Sequence, residues 1–164
     1  MRYFVRQKLI SFGDDFTIKD EEGKDHFFVD GKAFTDKLSF EDMKGKQLAY
    51  IERREGGKRV VFEIHRDGAL FATVTAPKLT FAECHFHVDV PGPDDYDARG
   101  DFQRHEFEFV RRGQPVAKIT RQHLRLTDAY VVDIAEGEDA VLLLASTVVL
   151  DLMCDAQRDQ GSRV

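Results

Sequence analysis

The chain has 164 residues, 42% of them hydrophobic and 33% charged, which suits one soluble domain over 1–164 that buries roughly two-thirds of its unfolded surface without staples. A net charge of −6 excludes a surface given over wholly to nucleic acid while leaving room for a local basic patch. Two cysteines, Cys84 and Cys154, in no paired spacing, exclude a disulfide framework or a zinc ribbon and point to a reducing cytosol.

The opening Met1-Arg2-Tyr3-Phe4-Val5-Arg6-Gln7-Lys8 sets charges inside what would have to be the apolar core of an export signal, so none is expected and the chain should enter structure at once. From there to about residue 134 apolar and polar residues alternate, the two-residue period of half-buried antiparallel strands. Phe16-Thr17-Ile18-Lys19 is a first clear strand, and Glu22-Gly23 closes its hairpin. Leu38 and Phe40, the turn Lys44-Gly45, then Ala49 and Ile51 set a pattern that returns twice. The second copy is Phe62 and Ile64, Asp67-Gly68, Ala72 and Val74; the third is Phe107 and Phe109, Arg112-Gly113, Ala117 and Ile119. Glycine supplies positive φ at each turn, and the small alanine leaves room on its face, as a sheet needs where it curves over something bulky.

Between the copies lie the basic hairpin Arg53-Arg54-Glu55-Gly56-Gly57-Lys58-Arg59, the strand Phe81-Ala82-Glu83-Cys84-His85-Phe86-His87-Val88-Asp89, and an irregular loop over 91–97 that is too short to separate domains. The 14 phenylalanines, unaccompanied by tryptophan, fall mostly in alternating segments and read as core, not as stacking platforms for bases. Nucleic acid is not expected as a partner.

The pattern changes at Ala140-Val141-Leu142-Leu143-Leu144-Ala145-Ser146-Thr147-Val148-Val149-Leu150, followed by Asp151-Leu152-Met153-Cys154. As a helix this segment is apolar on every face and must be buried on all sides; Glu138 and Asp139 suit its positive N-terminal end, where Asp139 can cap it. From Asp139 to Met153 it would run about 22 Å at ~1.5 Å per residue, short of the ~30 Å of a bilayer interior. The expectation is therefore a single antiparallel β-barrel wrapped around this helix, with no transmembrane segment.

Several stretches carry a resemblance as well. Phe16 to Gly23, Phe28-Val29-Asp30-Gly31-Lys32-Ala33-Phe34, and Lys37 through Gly45 to Ala49-Tyr50-Ile51 are similar to the opening hairpins of LURP-one-related proteins. Val116 to Arg121 and Thr127 to Ile134, just before the hydrophobic helix, resemble that family's second half, so the likeness runs over about residues 3 to 154. It implies the Tubby C-terminal-like fold, a twelve-stranded antiparallel barrel with the C-terminal helix through its middle, shared with phospholipid scramblases. It also implies lipid headgroups as ligands, because Tubby domains bind phosphoinositides and scramblases are tied to phospholipids. The chain departs from the family's aromatic run at Gln122-His123-Leu124-Arg125-Leu126.

No G-x-S-x-G elbow, activated cysteine or phosphate-cradling loop is present, so no enzyme and no cofactor is expected. The basic hairpin is the best anion site: Arg53, Arg54, Lys58 and Arg59 present four cations and Gly56 and Gly57 expose backbone N–H groups. The plain alternative is a solvated turn. Alternation puts Glu83, His85, His87 and Asp89 on one strand face, a spacing a metal could use; the plain alternative is an outer, solvated face backed by Ala82, Cys84, Phe86 and Val88. Asp151 is either a buried carboxylate with a role or the point where the helix leaves the barrel. Asp94-Asp95-Tyr96-Asp97 lacks the spacing of a calcium loop. The resulting expectation is a cytoplasmic, non-enzymatic module that binds anionic phospholipid headgroups at a membrane surface through the basic hairpin. A barrel whose partner is a protein stands second, and a metal-dependent enzyme centred on His85 and His87 third.

Overall fold

The alternating segments form strands, and the computed structural model describes them over residues 1–7, 15–31, 37–54, 61–75, 84–101, 106–123 and 128–161. In chain order these are β1 (Arg2–Gln7), β2 (Phe16–Lys19), β3 (Asp25–Gly31), β4 (Lys37–Asp42), β5 (Gln47–Arg54) and β6 (Val61–Arg66). After them come β7 (Ala69–Thr75), β8 (Cys84–Asp89), β9 (Tyr96–Asp101), β10 (Glu106–Arg111), β11 (Gln114–His123), β12 (Asp128–Ile134) and the helix α1 (Ala140–Gly161). Each strand pairs antiparallel with its chain neighbours, and β1 pairs with β12 from Arg2↔Asp133 to Arg6↔Ala129. The closure leaves no free sheet edge.

The repeated Gly–Ala spacing has a structural meaning. Gly45, Gly68 and Gly113 sit at φ of 82°, 77° and 73°. In the hairpin closed by each of these turns the register shifts, between Phe40 and Glu41, Ile64 and His65, and Phe109 and Val110. The shift carries Ala49, Ala72 and Ala117 to positions opposite those same three large residues, all facing inward and buried. A bulge tightens the local twist and bends the strand, and a methyl group opposite a bulky side chain keeps the lumen wide enough for a helix.

That helix fills the lumen. Residues 142–151 of α1 are buried without a break around the helix circumference, and Leu142, Leu143, Leu144, Val148, Val149, Leu150 and Met153 share one core with inward residues of all twelve strands. Asp139 caps α1 by accepting from the Leu142 N–H at 3.1 Å. The helix is longer than the periodicity suggested: its 22 residues span about 33 Å at ~1.5 Å each. Length therefore does not separate it from a membrane span. Composition does, since among the described residues no helix is long and apolar enough to cross a bilayer, and Asp155, Arg158 and Asp159 occupy its last turns.

Successive connections alternate between the two ends of the barrel. Connections 20–24, 43–46, 67–68, 90–95 and 112–113 lie at one end, together with 135–139, which leads into α1; we call this the entry end. The other end, the exit end, carries 8–15, 32–36, 55–60, 76–83, 102–105 and 124–127. Entry-end contacts hold the helix approach in place: Arg66 pairs with Asp139 at 2.5 Å, Arg111 with Glu138 at 2.7 Å, and the Tyr96 hydroxyl donates to Glu138 at 3.2 Å. The irregular loop is shorter than 91–97, because Tyr96 and Asp97 already belong to β9, with Tyr96 facing inward.

Candidate functional site

A filled lumen removes the cavity that wide barrels offer to ligands, so recognition has to use the outer wall or the ends. The two ends differ in charge. Entry-end connections hold nine acidic and four basic residues, a net of −5, whereas exit-end connections hold five acidic and seven basic, a net of +2. The difference is one of sequence, since the exit-end segments other than Asp15 lie outside the described residues: a chain that is acidic overall has net basic segments joining its strands on that side.

Arg53 and Arg54 close β5 at that exit end. Arg53 is half-buried and has no hydrogen bond or ion pair among the described residues. Arg54 is engaged: its Nε donates to Glu63 at 3.2 Å, its terminal nitrogen lies 3.9 Å from Glu52, and the bond to Glu63, followed by the charges of Glu63 and Glu52, holds its pKa above the ordinary arginine value. Lys58 and Arg59, the other half of the basic hairpin, lie outside the described residues. The structure therefore brings Arg53 and Arg54 to one rim in different settings, one without a partner among the described residues and one opposed by two carboxylates.

The partners of Arg54 form a group that sequence spacing did not reveal. Glu52 and Glu63 stand directly opposite across β5 and β6, and His65 approaches Glu63 at 3.0 Å. Like charges in opposite positions repel. Two carboxylates and an imidazole, with ligand atoms within 4.8 Å of one another, form a set that a divalent cation could use, and here the Arg54 guanidinium supplies the compensating charge. The two glutamates lie eleven positions apart in sequence, and strand register joins them.

His85, His87 and Asp89 share the outer face of β8, as alternation predicts, and Phe86 and Val88 point into the core; Glu83 lies outside the described residues. Their partners come from elsewhere in the chain. His85 Nε2 lies 2.9 Å from Asp97 Oδ1; His87 places Nδ1 3.2 Å from that same oxygen and Nε2 3.0 Å from Asp95. A neutral imidazole can donate from only one nitrogen. With carboxylates at both, the charged ring is favoured: burial lowers the pKa of His87, but the bonds to Asp97 and Asp95 and their charges outweigh it and raise the value. Asp97 moves the other way, its burial outweighed by the two histidines. Asp95 is further held by the Val90 N–H at 3.1 Å and Asp94 by Arg112, so this acidic loop forms a network of ion pairs, and its carboxylates are already engaged.

Asp151 is buried, and α1 continues past it to Gly161. The Tyr130 hydroxyl donates to its carboxylate, and the Arg121 guanidinium lies 5.9 Å from the centre of the Tyr130 ring. Tyr130 and Arg121 are paired near the exit-end termini of β12 and β11, so Asp151 marks the level where the helix reaches the barrel rim.

Comparison with known proteins places this architecture. A model of the LURP-one-related family matches residues 1–151. The uncharacterized protein YxjI of Bacillus subtilis (strain 168) is 30% identical over 160 residues, covering 96% of each chain. The crystal structure of a protein from Arabidopsis thaliana superposes with a TM-score of 0.68 over 93% of this chain and 91% of that one, at 18% identity, a likeness of fold.

Proposed function

This chain belongs to the LURP-one-related family, and on that premise we propose that it is a non-enzymatic, cytoplasmic binding module whose exit end docks on anionic phospholipid headgroups. The observation that carries this reading is the sequence charge of the segments that join the strands, −5 for those at the entry end against +2 for those at the exit end. Fields between exposed charges fade over about 10 Å at 0.1 M salt. The part of α1 from residue 140 to residue 153 puts the two ends about 20 Å apart at ~1.5 Å per residue. An anionic surface at the exit end is thus attracted by the basic connections and screened from the acidic ones. The filled lumen supports a non-enzymatic role, since it offers no water-excluded chamber in which to hold a reacting group.

Co-sedimentation with vesicles tests the reading. Vesicles of phosphatidylcholine with phosphatidylserine or a phosphoinositide should carry the protein down at low salt and release it as salt rises. Phosphatidylcholine alone should not. Changing Arg53, Arg54, Lys58 and Arg59 together to Ala should weaken sedimentation at least tenfold, with Arg53 contributing more than Arg54 because Arg54 is already opposed by Glu63. Equal sedimentation with neutral and anionic vesicles, or none with either, would remove the lipid reading and favour a protein partner for the same end.

A further inference from the structure

A second feature lies on the outer wall, away from the basic hairpin. Between β11 and β2 a groove of about 640 Å³ is lined by Phe4, Arg6, Thr17, Lys19, Gln122 and Ala129, with Asp25 and Gly23 at its entry-end limit. Register explains the hollow. Arg6 stands between Ala129 on β12 and Thr17 on β2, and Gln122 lies beyond Ala129 on β11. The short side chains of Ala129 and Thr17 among long neighbours leave a trough in the wall. Its floor is apolar: Phe4 is half-buried, and Ala129 is 5% exposed although it faces away from the core.

Among the described residues the charge in this trough is unbalanced. Arg2, Arg54, Arg66, Arg111 and Arg112 each meet a carboxylate. Arg6 is exposed and has no hydrogen bond or ion pair among the described residues. Among the described residues Lys19 pairs with Asp25, at 3.5 Å, so the described lining of the groove carries two cations against one carboxylate. Thr17 and Gln122 add hydrogen-bonding groups beside the Arg6 guanidinium. A guanidinium next to a partly buried apolar floor matches a ligand that has a charged head and a hydrocarbon body.

We infer that this groove binds a single-chain amphipathic anion, a phosphate or carboxylate head on an apolar tail, with Arg6 holding the head and Phe4 and Ala129 receiving the tail. The site goes beyond the docking of the exit end on a bilayer: it takes the free amphiphile from solution. The same head chemistry is presented by bilayer lipids, so the test separates the two sources.

Dodecyl phosphate and decanoate, each below its micelle concentration, would be titrated into the ¹⁵N-labelled full-length protein, with inorganic phosphate and phosphatidic-acid vesicles as parallel arms. The expected result is saturable binding of dodecyl phosphate, with amide shifts centred on Phe4, Arg6, Thr17 and Ala129 and inorganic phosphate at least tenfold weaker. Arg6→Gln should weaken binding at least tenfold by removing the cation. Ala129→Leu should do the same by filling the trough, and Arg6→Lys should restore part of the loss, while vesicle sedimentation of Arg6→Gln stays near that of the wild type. The inference is overturned by shifts clustered elsewhere, by unchanged affinity in both Arg6→Gln and Ala129→Leu, or by a wild type that responds to vesicles and not to either monomeric amphiphile.

Discussion

His87, held at both ring nitrogens by Asp97 and Asp95, ties β8 to β9 most firmly within a limited pH range. Its pKa is raised, so its contribution to stability is complete below the unfolded histidine value of about 6.5 and is lost as pH rises through the folded value. Asp97 is lowered, so its contribution is complete above about 3.9 and is lost as pH falls through the folded value. The network should therefore stabilise most between about pH 4 and 6.5. Urea unfolding from pH 5 to 8 should show stability declining in the wild type and a flatter profile in His87→Gln; identical profiles would refute the coupling. Gly100 is a sharper case, because a Cβ built there would lie 2.1 Å from the Glu106 carbonyl oxygen and 2.7 Å from a Phe107 ring carbon. Backbone must shift to admit it, and Gly100→Ala should cost about 2 kcal/mol or more, read as a lowered urea midpoint. A cost near zero would show that β9 and β10 approach less closely than described. Neither residue's role was legible beforehand. His85 and His87 stood out in the strand pattern, but their carboxylates are 8 to 12 positions away and arrive through the register of β8 with β9.

At the scale of elements the chain was far more readable. Period-two alternation, the glycine turns and the apolar run after residue 139 each depend on local chemistry, and each became a strand, a hairpin or the helix where the pattern placed it. The Gly–Ala repeat went further and anticipated curvature, since Ala49, Ala72 and Ala117 are the small residues set opposite Phe40, Ile64 and Phe109. Helix length was less accessible. Its last turns are polar, and amphipathic periodicity fades where one side of a helix emerges from a core. The repeat yields its own test, because β5 lies against α1 and Ala49 is 1% exposed. Ala49→Leu should overpack that contact and lower stability by about 1–3 kcal/mol, whereas Ala69→Leu, on an exposed position of β7, should change it little. Chemical denaturation of the two variants would decide; equal effects would mean that the alanine does not make room for the helix.

For the whole molecule, the helix in the lumen confines binding to the wall and the ends, and the segments joining the strands at those ends have opposite net charge in sequence. The basic hairpin stood out in the sequence as four cations, yet its setting did not: Arg54 is drawn to Glu63 across the β5–β6 pairing, and the polarity emerges only once alternate connections are assigned to opposite ends. The central claim is that the exit end, and not the entry end, meets an anionic surface. Because the chain contains no tryptophan, single probes can report on each end separately. Gly57→Trp at the exit end and Lys44→Trp at the entry end would be compared on vesicles containing phosphatidylserine and a brominated lipid quencher. The account predicts a blue shift and quenching for Gly57→Trp, with Lys44→Trp unchanged; the same response at both ends, or a response only at Lys44→Trp, would contradict it.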